Sequence, residues 1–183
     1  LFLKILISSI PVMIIGFFVA ETGAIEEIRN IKMIAWTTLI FGVLLYISDK
    51  FKLKNNINKN FTYRTAILIG LFQIISLVPG VSRSGIAITA ARLLNFKRLD
   101  AAKISFLLSI PILGAVSLFG IKNLILSESF YFTKINLIAI FLSFLISFIT
   151  IKFFLVYIKK FSLNIFVYYR IVLGFTLLAL AYL

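Results

Sequence analysis

Long apolar runs separated by short polar segments make up the chain. Residues 1–20 form the first run, interrupted only by Lys4 and Pro11, and residues 33–48 form the second, after a polar stretch at 21–32. A basic, Asn-rich segment follows at 49–64. Residues 65–78 and 85–94 are apolar but short, with Pro79-Gly80 and Val81-Ser82-Arg83-Ser84 between them. Three more runs, 104–121, 135–151 and 165–183, complete the chain. A bilayer core takes roughly 20 helical residues to cross. The long runs therefore predict five spans, and the two short ones predict helices that stop inside the membrane. The expected fold is all-α: a polytopic integral membrane protein, one membrane domain over 1–183.

Lys and Arg set the sidedness of such a protein, because cytoplasmic loops carry the excess. The 49–64 segment holds five, residues 92–103 four and residues 152–160 three; the segments at 21–32 and 122–134 hold two each, with four of the six acids. A simple crossing by residues 65–91 would place the first two basic segments on opposite faces. Two short helices joined at Pro79-Gly80, entering and leaving on one side, remove the conflict. The pattern thus predicts a re-entrant hairpin at about 65–94.

Composition agrees. Of the 183 residues, 62% are hydrophobic and 14% charged, against about 45–50% and about 25% in soluble domains. One soluble core cannot hide that excess, and no room remains for a second, soluble domain. The net charge of +13 might suggest nucleic acid, but loop sidedness accounts for it, and no nucleic acid partner is expected. There is no Cys and no His. Disulfides, Cys/His zinc sites, Ser-His-Asp triads and imidazole acid/base chemistry are excluded within this chain. It starts at Leu1 inside an apolar run, without an initiator Met, and is read as an N-terminally truncated fragment.

The break at Pro79-Gly80-Val81-Ser82-Arg83-Ser84-Gly85 carries the candidate chemistry. Non-helical backbone at membrane depth is tolerated where it is buried in protein or lines a water-filled cavity. Pro79 lacks an N–H and ends the first half-helix, Gly80 and Gly85 allow unusual angles or close approach of a ligand, and Ser82 or Ser84 can cap the second half-helix. A helix start favours an anion, and the planar fork of Arg83 suits phosphate oxygens. A cation at this depth costs at least a few kcal/mol and calls for a function or a partner. The expected ligand is a phosphate or diphosphate; the alternative is a surface helix cap with Arg83 snorkelling to water.

From Gln73 to Gly85 the sequence Gln-Ile-Ile-Ser-Leu-Val-Pro-Gly-Val-Ser-Arg-Ser-Gly closely resembles the second signature of the undecaprenyl-diphosphate phosphatase family of the bacitracin-resistance type. The resemblance continues through Ala101-Ala102-Lys103-Ile104-Ser105-Phe106-Leu107-Leu108-Ser109-Ile110-Pro111, and at Ile10-Pro11, Ile15-Gly16, Gly42, Tyr169-Arg170 and Gly174. It implies the second half of an inverted-repeat helical fold in the bacterial cytoplasmic (inner) membrane. It also implies removal of the terminal phosphate of a C55 polyprenyl diphosphate, which recycles the lipid carrier of cell-wall synthesis, and an active site reached from the outer face. Transferred to matching positions, Ser82 and Arg83 are the catalytic candidates, and Gly80, Ser84, Gly85, Gln73 and Arg170 the substrate-binding ones. The implied cofactor is a divalent metal, Mg or Ca, held mainly by residues outside this chain; the implied partners are the polyprenyl diphosphate lipid and the bilayer, with a homodimer left open.

Two departures qualify the transfer. The family's first signature, with paired glutamates, serines and a histidine, is absent, so the chain alone is expected to show little or no catalysis. Ala87 stands where family members usually have Thr, and Thr89 would face another direction on a helix. A transporter or flippase of an anionic polyprenyl lipid, and a catalytically dead membrane scaffold, are the alternatives. Glu21, Glu26 and Glu27 do not share a helix face and read as solvated loop charges; Asp49 and Asp100 read as surface or helix-end residues, and Arg92 as a snorkelling anchor. Arg170 has two open readings, an interior cation bracing the site or a residue snorkelling to the nearby cytoplasmic end. Gly114, Ala115 and Ser117 are candidates for close helix contact.

Overall fold

A computed structural model describes residues 1–51, 54–126 and 134–183; Lys52 and Glu128, counted among the loop charges above, lie outside them. Each long apolar run is a helix: α1 (Phe2–Thr22), α3 (Ile31–Lys50), α7 (Arg98–Leu126), α8 (Lys134–Lys160) and α9 (Asn164–Tyr182). All five contain stretches long and apolar enough to cross a membrane, and no strand occurs among the described residues. The protein is an all-α, multi-pass membrane protein. The helices run past the apolar runs into flanking polar residues, as in α8, which ends on Lys159 and Lys160. Keeping the backbone hydrogen-bonded into the headgroup zone is favoured, and long cationic side chains reach water from there.

The polar segments carry the stop and start signals. Gly23 closes α1 in the left-handed region, at φ +65°, where glycine has no Cβ penalty. The short helix α2 (Ala24–Ile28) follows, and the Asn30 side chain then caps α3 by accepting from Met33 N at 2.8 Å. After α4 (Ile57–Asn60), Thr62 and Thr65 form a reciprocal capping box that starts α5 (Tyr63–Ile74). A 3₁₀ turn at Ile75–Leu77 leads to the break, and α6 (Arg83–Leu93) carries the chain back. The two ends of this pair are stitched together: Asn55 N donates to Asn95 O at 2.9 Å, Lys97 N to Asn55 O at 3.0 Å, and Asn55 Nδ2 to Leu94 O at 3.1 Å. The chain therefore leaves for α5 and returns from α6 at the same end of the bundle.

The core lies between this hairpin, α1, α7 and the start of α9, with Phe61, Ile69, Phe96, Ile104, Leu108 and Leu163 at its centre. Phe61 and Phe96 meet edge to face with centroids 6.3 Å apart, joining the two ends of the hairpin. Missing side chains set the closest approaches: a Cβ on Gly70 would collide with the Ser8 carbonyl, and one on Gly174 with Leu39. These glycines, not the Gly114 stripe, allow close helix contact. Gly114 faces open space and Ser117 is exposed. The hydrophobic stretch of α8 buries none of its residues.

Asp49 lies at the end of α3, as one of its two readings had it, but neither it nor Arg92 is at the surface. Both are buried, at 4% and 3% exposure. Arg92 lies 3.3 Å from the Asp49 carboxylate and donates to the carbonyls of Asp49, Phe51 and Phe96. Arg98 forks onto the same carboxylate at 2.7 and 2.9 Å, and Leu163 N donates to it at 3.2 Å. The bundle closes over these groups where α3, α6, α7 and α9 end or begin, so Asp49 acts as an internal tie.

Candidate anion-binding site

The break between the short helices is a tight turn. Val78, next before Pro79, is extended (φ −70°, ψ 129°), as the proline ring requires of its predecessor. Val81 N donates to Val78 O at 3.1 Å, and Gly80 sits at φ +87°, the arrangement of a type II turn with Pro and Gly at its centre. A Cβ at Gly80 would collide with the Thr37 hydroxyl and lie 2.6 Å from Ile34 O. The glycine thus answers to α3 packing as well as to the turn.

Two threonines of α3 hold the turn. Thr37 Oγ1 donates to Pro79 O at 2.6 Å, and Thr38 Oγ1 lies 3.4 Å from Gly80 O. Neither stood out in the sequence; adjacent hydroxyls inside an apolar span were the available signal. On the far side, Ser105 Oγ of α7 donates to Ser84 O at 3.2 Å.

Ser82 is the N-cap of α6. Its Oγ accepts from Gly85 N at 3.1 Å and lies 3.3 Å from Ser84 Oγ. That capping bond uses an oxygen lone pair and leaves the hydroxyl hydrogen available. Arg170 reaches in from α9: its Nη2 donates to Gly80 O at 3.1 Å and its Nε lies 3.4 Å from Thr38 O. A Cβ on Gly85 would come within 3.3 Å of Arg170 Nη1. Of the two readings of Arg170, the interior one describes its placement.

These groups meet in a cavity of about 410 Å³. Gly80, Ser82, Ser84, Gly85, Thr38 and Arg170 line its polar part, and Leu45, Ile88, Phe154, Leu163, Phe166 and Leu173 its apolar walls. Arg83, at the first position of α6, is half-buried and is not among the lining residues. Among the described residues it has no hydrogen-bond or ion-pair partner. Gln73 lies outside the cavity, 1% exposed, with its side-chain nitrogen unpartnered. Thr89 donates to Gly85 O within its own helix at 2.8 Å and does not take the place of the family Thr beside the buried Ala87. The cavity's donor set is hydroxyls and a guanidinium without a carboxylate, which does not suit Mg or Ca, hard cations that take six or more oxygens. Among the described residues no three acidic, His or Cys side chains cluster.

Fold and site together define an all-α, multi-pass membrane protein with a cationic, hydroxyl-lined cavity at a helix break. A family model described as "Bacitracin resistance protein BacA" matches residues 1–176, and the chain belongs to that family. Relatives named undecaprenyl-diphosphatase include one from Pelagibacter ubique, 51% identical over 97% of this chain and 70% of its own length. Others come from Jannaschia sp. and Roseobacter denitrificans, each 38% identical, over 97% and 98% of this chain and 67% of their own lengths.

Proposed function

We propose that this chain acts on undecaprenyl diphosphate in the bacterial inner membrane, taking part in its hydrolysis to undecaprenyl phosphate and inorganic phosphate. The observation that carries the reading is the cavity itself, which sets hydroxyl and guanidinium donors against apolar walls. That combination fits an anionic diphosphate head continuous with a prenyl chain. Family membership supports the same substrate.

In this reading the hairpin re-enters the membrane from the basic side and holds the break at depth. Ser82 donates its O–H to a phosphate oxygen, with Ser84 beside it. Arg83, outside the cavity lining but next to Ser82 in the chain and without a hydrogen-bond or ion-pair partner among the described residues, contributes charge beside the diphosphate as negative charge shifts in the transition state, where preorganised donors act most strongly. Gly80 and Gly85 keep the backbone open to the ligand, Arg170 positions the turn and contributes positive charge, and Gln73 supports the preceding helix. Among the described residues no carboxylate or imidazole lines the cavity, and Ser82 is accordingly assigned the part of a hydrogen-bond donor. Base and divalent cation, Mg or Ca, are assigned to groups outside this chain.

The test is phosphate release from C55 diphosphate in proteoliposomes, with this chain and with a version extended to its relatives' length. The chain alone should release little or no phosphate, and the extended protein should be active. In the extended protein Arg83→Ala should lower the rate by about 100-fold or more, as loss of one charge-stabilising donor does elsewhere. Unchanged activity in Arg83→Ala would overturn the role of Arg83. Transfer of the lipid between leaflets without phosphate release would favour a flippase.

A further inference from the structure

A second, larger cleft of about 690 Å³ opens at the basic end of the bundle, away from the helix break. Lys50, Lys97, Arg98 and Lys159 line it, with Ser162 and Asn164 at the start of α9. Its single acid, Asp49, is 4% exposed and already bound by Arg92 and Arg98. The inward charge is thus compensated and the outward charge is not. Among the described residues the Lys97 and Lys159 ammonium groups have no hydrogen-bond or ion-pair partner, while Lys50 Nζ is held 4.5 Å from the centre of the Tyr46 ring.

The cleft's position decides between ligands. α3 ends at Lys50, α7 begins at Arg98, α8 ends at Lys160 and α9 begins at Asn164; the cleft is walled by the ends of four membrane-length helices. Such ends lie at headgroup level, where cytoplasmic-leaflet lipids present anionic phosphates. Three elements far apart in sequence bring the lysines together, unlike Lys54 and Lys59, which are exposed on the neighbouring segment and do not line the cleft. We propose that this cleft binds the phosphate of an anionic phospholipid headgroup from the cytoplasmic leaflet. This inference is independent of the diphosphatase reading.

Native mass spectrometry of the detergent-purified chain, with added phosphatidylglycerol or phosphatidylcholine, tests it. Phosphatidylglycerol should be retained in preference. Each lysine near an anionic surface is worth about 1 kcal/mol, so Lys97→Gln with Lys159→Gln should weaken retention about thirtyfold and Lys159→Gln alone about fivefold. Neither side chain makes a bond among the described residues, so melting temperatures should stay unchanged. Lys54→Gln with Lys59→Gln, removing equal charge outside the cleft, should leave the preference intact. The proposal is overturned by no preference in the unmodified chain, by a preference surviving in the cleft variants, or by equal loss in the control pair. Displacement of phosphatidylglycerol by millimolar inorganic phosphate would also overturn it, making free phosphate the ligand.

Discussion

Gly80 shows how much one position can decide. Its φ of +87° and the backbone of Ile34 beneath it leave no place for a side chain. Gly80→Ala should therefore lower the thermal melting temperature of the purified protein, by a loss of at least about 1–2 kcal/mol from the left-handed backbone alone. An unshifted melting temperature would show that the turn is not held against α3. Gly80 and Gly85 were legible in the sequence, because Pro-Gly and Ser-x-x-Gly are local signals. Their reasons were not. Gly80 is required by a helix some 40 residues earlier, and Gly85 is crowded by the Arg170 guanidinium as well as by the neighbouring Ser82 side chain. Arg170 itself read equally well as a snorkelling cation, since sequence spacing alone does not tell which carbonyl a long side chain reaches.

Helix existence was legible throughout, because apolar runs long enough to span have few alternatives in lipid. Helix ends were less so. α5 stops at Ile74 and tightens into a 3₁₀ turn before Val78, where a continuous helix to 78 was expected. The largest misreading concerned how elements are tied together. Asp49 and Arg92, charges at the margins of apolar runs, read as surface or helix-end residues and as a snorkelling anchor, respectively. The folded chain buries them where four helices meet. Removing one partner of such a pair leaves the other charge buried and uncompensated, which costs about 3–5 kcal/mol. Asp49→Asn should accordingly destabilise the protein by roughly 3 kcal/mol or more, read as a large fall in melting temperature. Arg98→Gln should do much less, because the Arg98 side chain is 38% exposed and can be replaced by water. Equal effects of the two would refute the tie.

For the whole molecule, the Asn55–Asn95 pairing and the basic segments lead to one topology. It predicts residues 54, 97 and 159 on the cytoplasmic side and the end of α9 on the outer side. Cysteines introduced singly at Lys54, Lys97 and Lys159 should react with a membrane-impermeant maleimide only in inverted vesicles, and one following Leu183 only in intact cells. Labelling of Lys54→Cys and Lys97→Cys from opposite sides would show that the hairpin crosses the membrane. On the two proposed assignments the molecule takes different anions at different depths, a prenyl diphosphate at the helix break and a lipid headgroup at the basic cleft.

Hydropathy, loop charge and a thirteen-residue signature were enough to establish an all-α membrane protein, its five long helices and its family, and to single out one segment as the candidate for phosphate chemistry. These are local or one-dimensional properties: length against bilayer thickness, charge against side, residue type against backbone angle. The arrangement of side chains across elements was decided by folding. It set Arg170 over Gly85, Thr37 beneath Pro79, Arg83 apart from the cavity beside it, and Asp49 between Arg92 and Arg98. Those pairings, like the approach of Arg170 to Thr38 across 132 positions, join residues far apart in the chain, and only the packing of helices against one another brings such groups within bonding distance.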